Sequence, residues 1–152
     1  MLGESADQVA AAQRELARIG IDKFSGAATG QPRELAADPS RLGTMMSVTF
    51  GELAKALAGP ADGLPPADVV LDVRTNNEWR ASHVEGAVHI PLYDLANRLG
   101  EVPAGTVWVH CGSGYRATAA AALLEGAGRE PVLVDDHFAG AAQAGVKLVP
   151  DD

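Results

Sequence analysis

The hydrophobic positions follow different patterns before and after residue 45. After it, short apolar runs alternate with segments of helical spacing. Three runs are largely apolar, as in strands buried on both faces of a parallel sheet: 68–73, 106–110 and 131–135. Weaker runs predict strands at 45–50 and 86–91. Helices are predicted between the strands at 51–59, 76–83, 92–100, 116–128 and 137–145, with the helix at 76–83 capped near Asn76 or Asn77. This alternation predicts an α/β domain with a parallel sheet.

Residues 1–44 carry a single amphipathic pattern, so we predict an N-terminal extension at 1–44 and a domain at 45–152. The segment SADQVAAAQRELARIG predicts a helix that follows an N-cap at Ser5 and stops at Gly20. Its apolar residues recur at helical spacing, at Val9, Ala12, Leu16 and Ile19. The stretch after it is rich in Gly and Pro and predicts mostly loop, with a short strand beginning at Ile21.

Charge and composition narrow the function classes. The net charge of −8 argues against nucleic acid or an anionic membrane as the main partner. Residues 45–152 hold 14 acidic and 7 basic side chains, a balance that suits a basic protein partner. A single cysteine cannot form an internal disulfide, no signal peptide is evident, and no apolar run approaches membrane-spanning length, so we expect a cytoplasmic protein. One cysteine and four scattered histidines show no metal-ligand spacing, no cofactor is implied, and the oligomeric state is left open.

The lone cysteine lies in the stretch WVHCGSGYRATAA, directly after a predicted strand and before a predicted helix. Gly112 and Gly114 allow the backbone N–H groups of this turn to converge, and the helix start and Arg116 add positive charge. Such surroundings favour the thiolate of Cys111, which is the nucleophilic form. A buried, inert cysteine is the alternative. The combination of strand, cysteine, glycine-rich turn, arginine and helix favours the reactive interpretation.

The length of this loop separates two chemistries. Four residues stand between Cys111 and Arg116, namely Gly112, Ser113, Gly114 and Tyr115. Cysteine phosphatases have five intervening residues that wrap a phosphate, whereas a shorter loop suits a terminal sulfur atom on the cysteine. A phosphatase is therefore disfavoured.

Two separated motifs resemble the rhodanese family of single-domain sulfurtransferases over residues 45–149. They are VVLDVRTNNEWRASHVEGAVHIPL at 69–92 and VWVHCGSGYRATAAAALLEGAG at 107–128. The resemblance implies a rhodanese-like α/β fold, with a parallel sheet and helices on both faces. The segment LARIGIDKFSGAATG is faintly similar to the linker of fusion proteins that join a metallo-β-lactamase domain to a rhodanese domain.

The resemblance also implies a chemistry. Cys111 would take sulfane sulfur from thiosulfate or a low-molecular-weight persulfide, held by the loop from Gly112 to Arg116, and pass it to a thiol or to cyanide. Because the chain has no second cysteine, the acceptor must come from outside it. The alternative is a sulfur carrier or protein-interaction module without turnover.

Asp72, Arg74 and Glu78 follow a neighbouring strand, and in family terms they support the active loop. Their spacing predicts an i,i+4 pair between Arg74 and Glu78. A surface ion pair of little energetic consequence is an equally compatible interpretation. His110 should point away from Cys111, because side chains alternate along a strand.

The segment after the last predicted strand departs from the family pattern. Asp136 and His137 stand where the family has glycines, and Ala141 stands where it has tryptophan. Asp135 and Asp136 near the site would repel an anionic donor, which predicts weak turnover of thiosulfate.

Overall fold

The computed structural model describes residues 1–18 and 23–150. The chain divides into two compact units, residues 1–44 and residues 45–152. The helix stop predicted at Gly20 and the strand predicted from Ile21 lie outside the described residues.

The N-terminal unit contains one long helix and several short elements. Helix α1 spans Ala6–Arg18, and the Ser5 hydroxyl accepts a hydrogen bond from the Gln8 amide at 3.3 Å, which satisfies one of the free amides of the first turn. The loop predicted after it holds more structure than its Gly and Pro content indicates. It contains strand β2 (Ala28–Thr29), helix α2 (Pro32–Leu35) and a 3₁₀ turn (Pro39–Arg41). Strand β2 pairs in parallel with strand β1 (Leu2–Gly3), which precedes α1.

The C-terminal unit is built on a five-stranded parallel sheet, which confirms the predicted fold class. Its strands are β3 (Ser47–Val48), β4 (Val69–Asp72), β6 (Val88–His89), β7 (Val107–His110) and β8 (Pro131–Val134). Their order across the sheet is β3-β8-β7-β4-β6, so β7 is central. Asp72 of β4 pairs in register with His110 of β7, and therefore these two strands end side by side.

Side chains of the central strands alternate between two buried layers, as the period of two in a strand requires. Val107 and Val109 enter a layer with residues of helices α5 (Leu92–Arg98) and α6 (Tyr115–Gly126). Trp108, between them, enters a second layer with residues of helix α3 (Phe50–Ala58). The sheet is thus covered by helices on both faces, and the nearly continuous apolar runs reflect this double burial.

Helix α4 spans Asn76–Ala81, and its N-cap is Thr75 rather than the predicted Asn76 or Asn77. The Thr75 hydroxyl accepts from the Glu78 amide at 3.5 Å, while the Glu78 carboxylate accepts from the Thr75 amide at 2.9 Å. This reciprocal capping box fixes the N-cap at Thr75, so that the helix begins at Asn76.

The helix predicted at 137–145 is wrong. The segment forms a 3₁₀ turn at Phe138–Gly140 followed by further turns. Gly140 and Gly145 lower its helix propensity, and Gly145 adopts a φ of +96° that no α-helix contains. The chain then continues to strand β9 (Leu148–Val149), which pairs antiparallel with β5 (His83–Val84), a pairing that the hydrophobic pattern did not predict.

Candidate active site

Cys111 directly follows β7, at the carboxyl end of the central strand, which is where parallel α/β sheets bind ligands. Its side chain is 1% exposed and belongs to the buried layer that includes Val73, Ile90 and Ala117. The next residues outward are open to solvent, with Ser113 exposed and Tyr115 88% exposed. The sulfur therefore lies beneath a short loop whose outer side faces water.

The loop from Gly112 to Arg116 leaves its backbone amides unpaired. Within the described chain, the N–H groups of Gly112, Ser113 and Gly114 donate to no acceptor. Gly114 is the N-cap of α6, and its carbonyl accepts the first helical hydrogen bond, from the Thr118 amide at 2.9 Å. The amides of the first turn of α6 accordingly have no intrahelical partner either. A run of free N–H groups with the positive end of a helix dipole is suited to a negative charge on or near Cys111.

Two glycines allow this conformation for different reasons. Gly114 has a φ of +83°, which only glycine adopts readily, and a Cβ atom there would overlap Asp135 Oδ1. Gly112 has no positive φ, but a Cβ atom there would lie 3.0 Å from Arg116 Nη2. Its carbonyl also accepts a hydrogen bond from the Phe138 amide at 3.1 Å, which ties the loop to the segment after β8.

Arg116 and Glu78 form a bidentate ion pair that joins the loop to helix α4. Both Arg116 Nη atoms donate to the Glu78 carboxylate at 2.7 Å. These bonds hold the pKa of Glu78 far below its usual range, with further lowering from the hydrogen bonds of Thr75. They also raise the pKa of Arg116, and the nearby Cys111 adds to this shift. The guanidinium therefore binds a carboxylate and lies near the candidate nucleophile.

The pairing predicted between Arg74 and Glu78 is wrong. Arg74 instead binds Asp72, with its Nε at 2.9 Å and Nη2 at 2.7 Å from Asp72 Oδ2. The two side chains are 4% and 0% exposed, so the pair is buried rather than on the surface. Arg74 Nη2 also donates to the Ser82 carbonyl at 2.7 Å, and its guanidinium carbon lies 3.6 Å from the centre of the Phe138 ring. The fork of Arg74 is turned toward Asp72 and is not available to reach helix α4 at Glu78.

Phe138 is a site residue that the sequence analysis missed. Its amide holds Gly112 and its ring covers Arg74, so it connects the cysteine loop with the buried ion pair. The available signal was a single aromatic residue soon after the last predicted strand, in a chain with only 5% aromatic residues.

His110 lies on the opposite face of the sheet from Cys111. Its ring contacts Phe50 and Phe138, with centroids 5.4 and 5.5 Å apart, in the layer that excludes Cys111. Burial lowers the pKa of His110, although Asp72, with Oδ2 3.6 Å from Nε2, opposes this shift. Neither ring nitrogen has a hydrogen-bond partner among the residues described. The geometry places this histidine away from the thiol, as the strand alternation predicts.

The segment that departs from the family pattern contacts the loop. Asp135 is adjacent to Gly114, and its own amide donates to the Val48 carbonyl at 2.9 Å. Asp136 accepts hydrogen bonds from the Phe50 amide at 3.1 Å and the His137 amide at 2.7 Å. Ala141 is fully buried. The aspartates thus have different surroundings, one beside the loop and one held by backbone amides.

Other features of the described residues do not add a second centre. A cavity of about 340 Å³ lies before β4, near Pro60 and Pro66, at the amino ends of the strands. No residue of the loop from Gly112 to Arg116 lines it. No cluster of three His, Cys, Asp or Glu side chains is placed to hold a metal ion in the part of the chain described. Over the same residues, every helix is too short or too polar to cross a bilayer.

The fold and this site define a class of protein, namely a parallel α/β domain in which a cysteine and a run of free backbone amides follow the central strand. Residues 50–144 match the family of rhodanese-like domains, and the chain belongs to that family. Solved structures share the fold. A rhodanese-like domain protein from Staphylococcus aureus has a TM-score of 0.57 at 23% identity, covering 71% of this chain and 100% of that one. A rhodanese-related protein from Thermoplasma volcanium has a TM-score of 0.60 at 22% identity, covering 70% and 99%.

Two curated relatives match only in part. An HTH-type transcriptional regulator of Mycobacterium tuberculosis is 31% identical over 96 residues, which are 55% of this chain and 42% of the regulator. The Bacillus subtilis protein YrkF, whose name describes a sulfur carrier, is 34% identical over 65 residues, which are 42% of this chain and 35% of YrkF. The chain therefore spans less than half the length of either relative.

Proposed function

We propose that the chain is a sulfurtransferase that carries a sulfane sulfur atom on Cys111. The observation that carries the proposal is the loop itself, in which one buried cysteine is followed directly by unpaired amides, from Gly112 onward, at the start of helix α6. Membership of the rhodanese-like family supports the same chemistry. Small sulfur compounds are the substrates, and the acceptor comes from outside the chain because Cys111 is the only cysteine.

The transfer takes place in two displacements. The Cys111 thiolate attacks the outer sulfur of the donor, the donor S–S bond breaks, and its electron pair leaves with sulfite from thiosulfate or with a thiolate from a persulfide. An acceptor thiolate or cyanide then attacks the outer sulfur of the Cys111 persulfide. This step forms an acceptor persulfide or thiocyanate and returns the Cys111 thiolate.

The protein's part is electrostatic and positional. The free amides of the loop stabilise negative charge on the terminal sulfur, as donors fixed in advance in an oxyanion hole do. Arg116 adds a positive charge next to Cys111 while Glu78 fixes its orientation. The Asp72–Arg74 pair and Phe138 hold the adjoining segments, because Phe138 contacts both Arg74 and the Gly112 carbonyl.

Intact-protein mass spectrometry after incubation with a sulfane donor tests the proposal. We expect the wild type to gain the mass of one sulfur atom and Cys111→Ser to gain none. Equal spectra for the two proteins would exclude transfer through this residue.

A sulfur carrier without turnover is the second candidate function. The 1% exposure of Cys111 favours it, because a covered persulfide exchanges slowly with free thiols, and YrkF is a relative whose name describes a carrier. Steady-state formation of thiocyanate from cyanide distinguishes the two functions. Continuous turnover supports the enzyme, whereas stable loading without turnover supports the carrier.

A further inference from the structure

Both arginines at the site are already paired with carboxylates. Arg116 is bound by Glu78 through two hydrogen bonds of 2.7 Å, and Arg74 is bound by the buried Asp72. Each guanidinium is planar and has its fork occupied by the carboxylate that faces it. The positive charge that an incoming anion meets from these residues is therefore largely neutralised.

A third carboxylate at the site has no such partner. Asp135 follows β8, the neighbour of β7, and it is exposed. A Cβ atom at Gly114 would overlap Asp135 Oδ1 and lie 3.1 Å from Asp135 Cγ, so the carboxylate lies directly against the loop. No hydrogen bond or ion pair joins this carboxylate to any residue described in the chain. Its negative charge thus lies beside the loop without a charged partner.

We propose that Asp135 biases the choice of donor against dianionic sulfane donors and in favour of those that bring a single negative charge, above all low-molecular-weight alkyl persulfides. This inference rests on the proposed sulfur transfer at Cys111. Thiosulfate brings two negative charges to the loop amides beside Asp135. An alkyl persulfide brings at most one charge on the transferred sulfur. When its S–S bond breaks, the electron pair of that bond leaves on an alkyl thiolate.

Two donors of similar shape isolate this charge effect. Thiosulfate is a dianion, and methanethiosulfonate is a monoanion in which a methyl group replaces one charged oxygen. Both deliver a terminal sulfur to the Cys111 thiolate, and the leaving groups are sulfite and methanesulfinate. The matched variants are Asp135→Asn and Asp62→Asn, since Asp62 is an exposed aspartate in the loop before β4, at the amino ends of the strands.

The measurement is the second-order rate constant of sulfur loading, followed by intact mass. With solvent screening at an exposed site, we expect Asp135→Asn to speed loading from thiosulfate about fivefold and from methanethiosulfonate about twofold. The ratio of the two rate constants then rises about two- to threefold. Asp62→Asn should leave that ratio unchanged.

The possible outcomes distinguish a failure of this inference from a failure of the proposed sulfur transfer at Cys111. If wild type and Asp135→Asn load with the same donor ratio, the role of Asp135 is overturned while sulfur transfer stands. If neither donor loads the wild type, the proposed function itself fails. Asp135→Ala is a second neutral variant and should reproduce the ratio of Asp135→Asn. Added NaCl should speed wild-type loading from thiosulfate, and slower loading would show that an unpaired cation attracts the dianion and would overturn the inference without any variant.

Discussion

Replacing Gly114 by alanine tests the loop geometry most sharply, because the added methyl group destabilises the folded protein in two separate ways. The φ of +83° costs an L-residue about 1–2 kcal/mol. The new Cβ also overlaps Asp135 Oδ1 and lies 3.3 Å from Asp135 Cα, and relieving such crowding costs about 1–3 kcal/mol. We therefore expect Gly114→Ala to lower the free energy of unfolding by about 2–5 kcal/mol in total.

The chain offers a control for each cost. Gly63 has a φ of +75° with no atom near its Cβ position, so Gly63→Ala should lose only the backbone part, about 1–2 kcal/mol. The double variant Gly114→Ala/Asp135→Ala removes the carboxylate and should recover part of the loss. Urea unfolding followed by circular dichroism measures all three differences.

The same substitution should slow sulfur loading of Cys111 on the order of tenfold to a hundredfold, since it displaces amides that must contact the sulfur. Gly63→Ala should load at the wild-type rate. Equal stability losses at the two glycines, or unchanged loading in Gly114→Ala, would refute the account of the loop given above.

Three further predictions concern the groups around the loop. Glu78→Gln should lower the free energy of unfolding by about 1 kcal/mol, after allowing for the solvent exposure of the pair with Arg116. Because the folded pKa of Glu78 is lowered, this stabilisation is present above its unfolded pKa of about 4.3 and is lost at lower pH. The difference between wild type and Glu78→Gln in urea unfolding should therefore disappear on acidification. Asp72→Asn leaves Arg74 buried without its counter-charge and should cost about 3–5 kcal/mol by urea unfolding, whereas Glu85→Gln, which breaks an exposed pair with Lys147, should cost little. The free energy of unfolding of His110→Phe should depend less on pH between 7.5 and 5.5 than that of the wild type. Burial lowers the pKa of His110, so the wild type loses stability below the unfolded pKa of about 6.5. An unchanged slope would contradict the burial of a neutral imidazole.

The sheet could be predicted from sequence because its strands are buried on both faces, which leaves nearly continuous apolar runs around Val70, Trp108 and Val132. The helix predicted at 137–145 does not form. The alanines there favour a helix, whereas the chain forms a 3₁₀ turn at Phe138–Gly140 and further turns. The capping box at Thr75 was readable in the spacing of TNNE but was assigned to the following asparagines.

The site, like the fold, could be predicted from the sequence only in part. Cys111 and the loop to Arg116 are contiguous, so their chemistry was visible in one short stretch of sequence. Glu78 lies 38 residues from Arg116, and helical spacing indicated the local Arg74 as its partner instead. The contact of Asp135 with Gly114 depends on the ends of two adjacent strands, which only the strand order β8-β7 brings together.

The central claim is that Cys111 receives a sulfur atom and gives it up again. The most direct measurement loads the protein with a sulfane donor, removes the donor by desalting, and then follows intact mass while a small thiol is added. We predict a stoichiometric gain of one sulfur atom at Cys111, followed by its loss as the thiol becomes a persulfide in equal amount. A protein that never gains the sulfur, or that gains it at the same level in Cys111→Ser, would contradict the account.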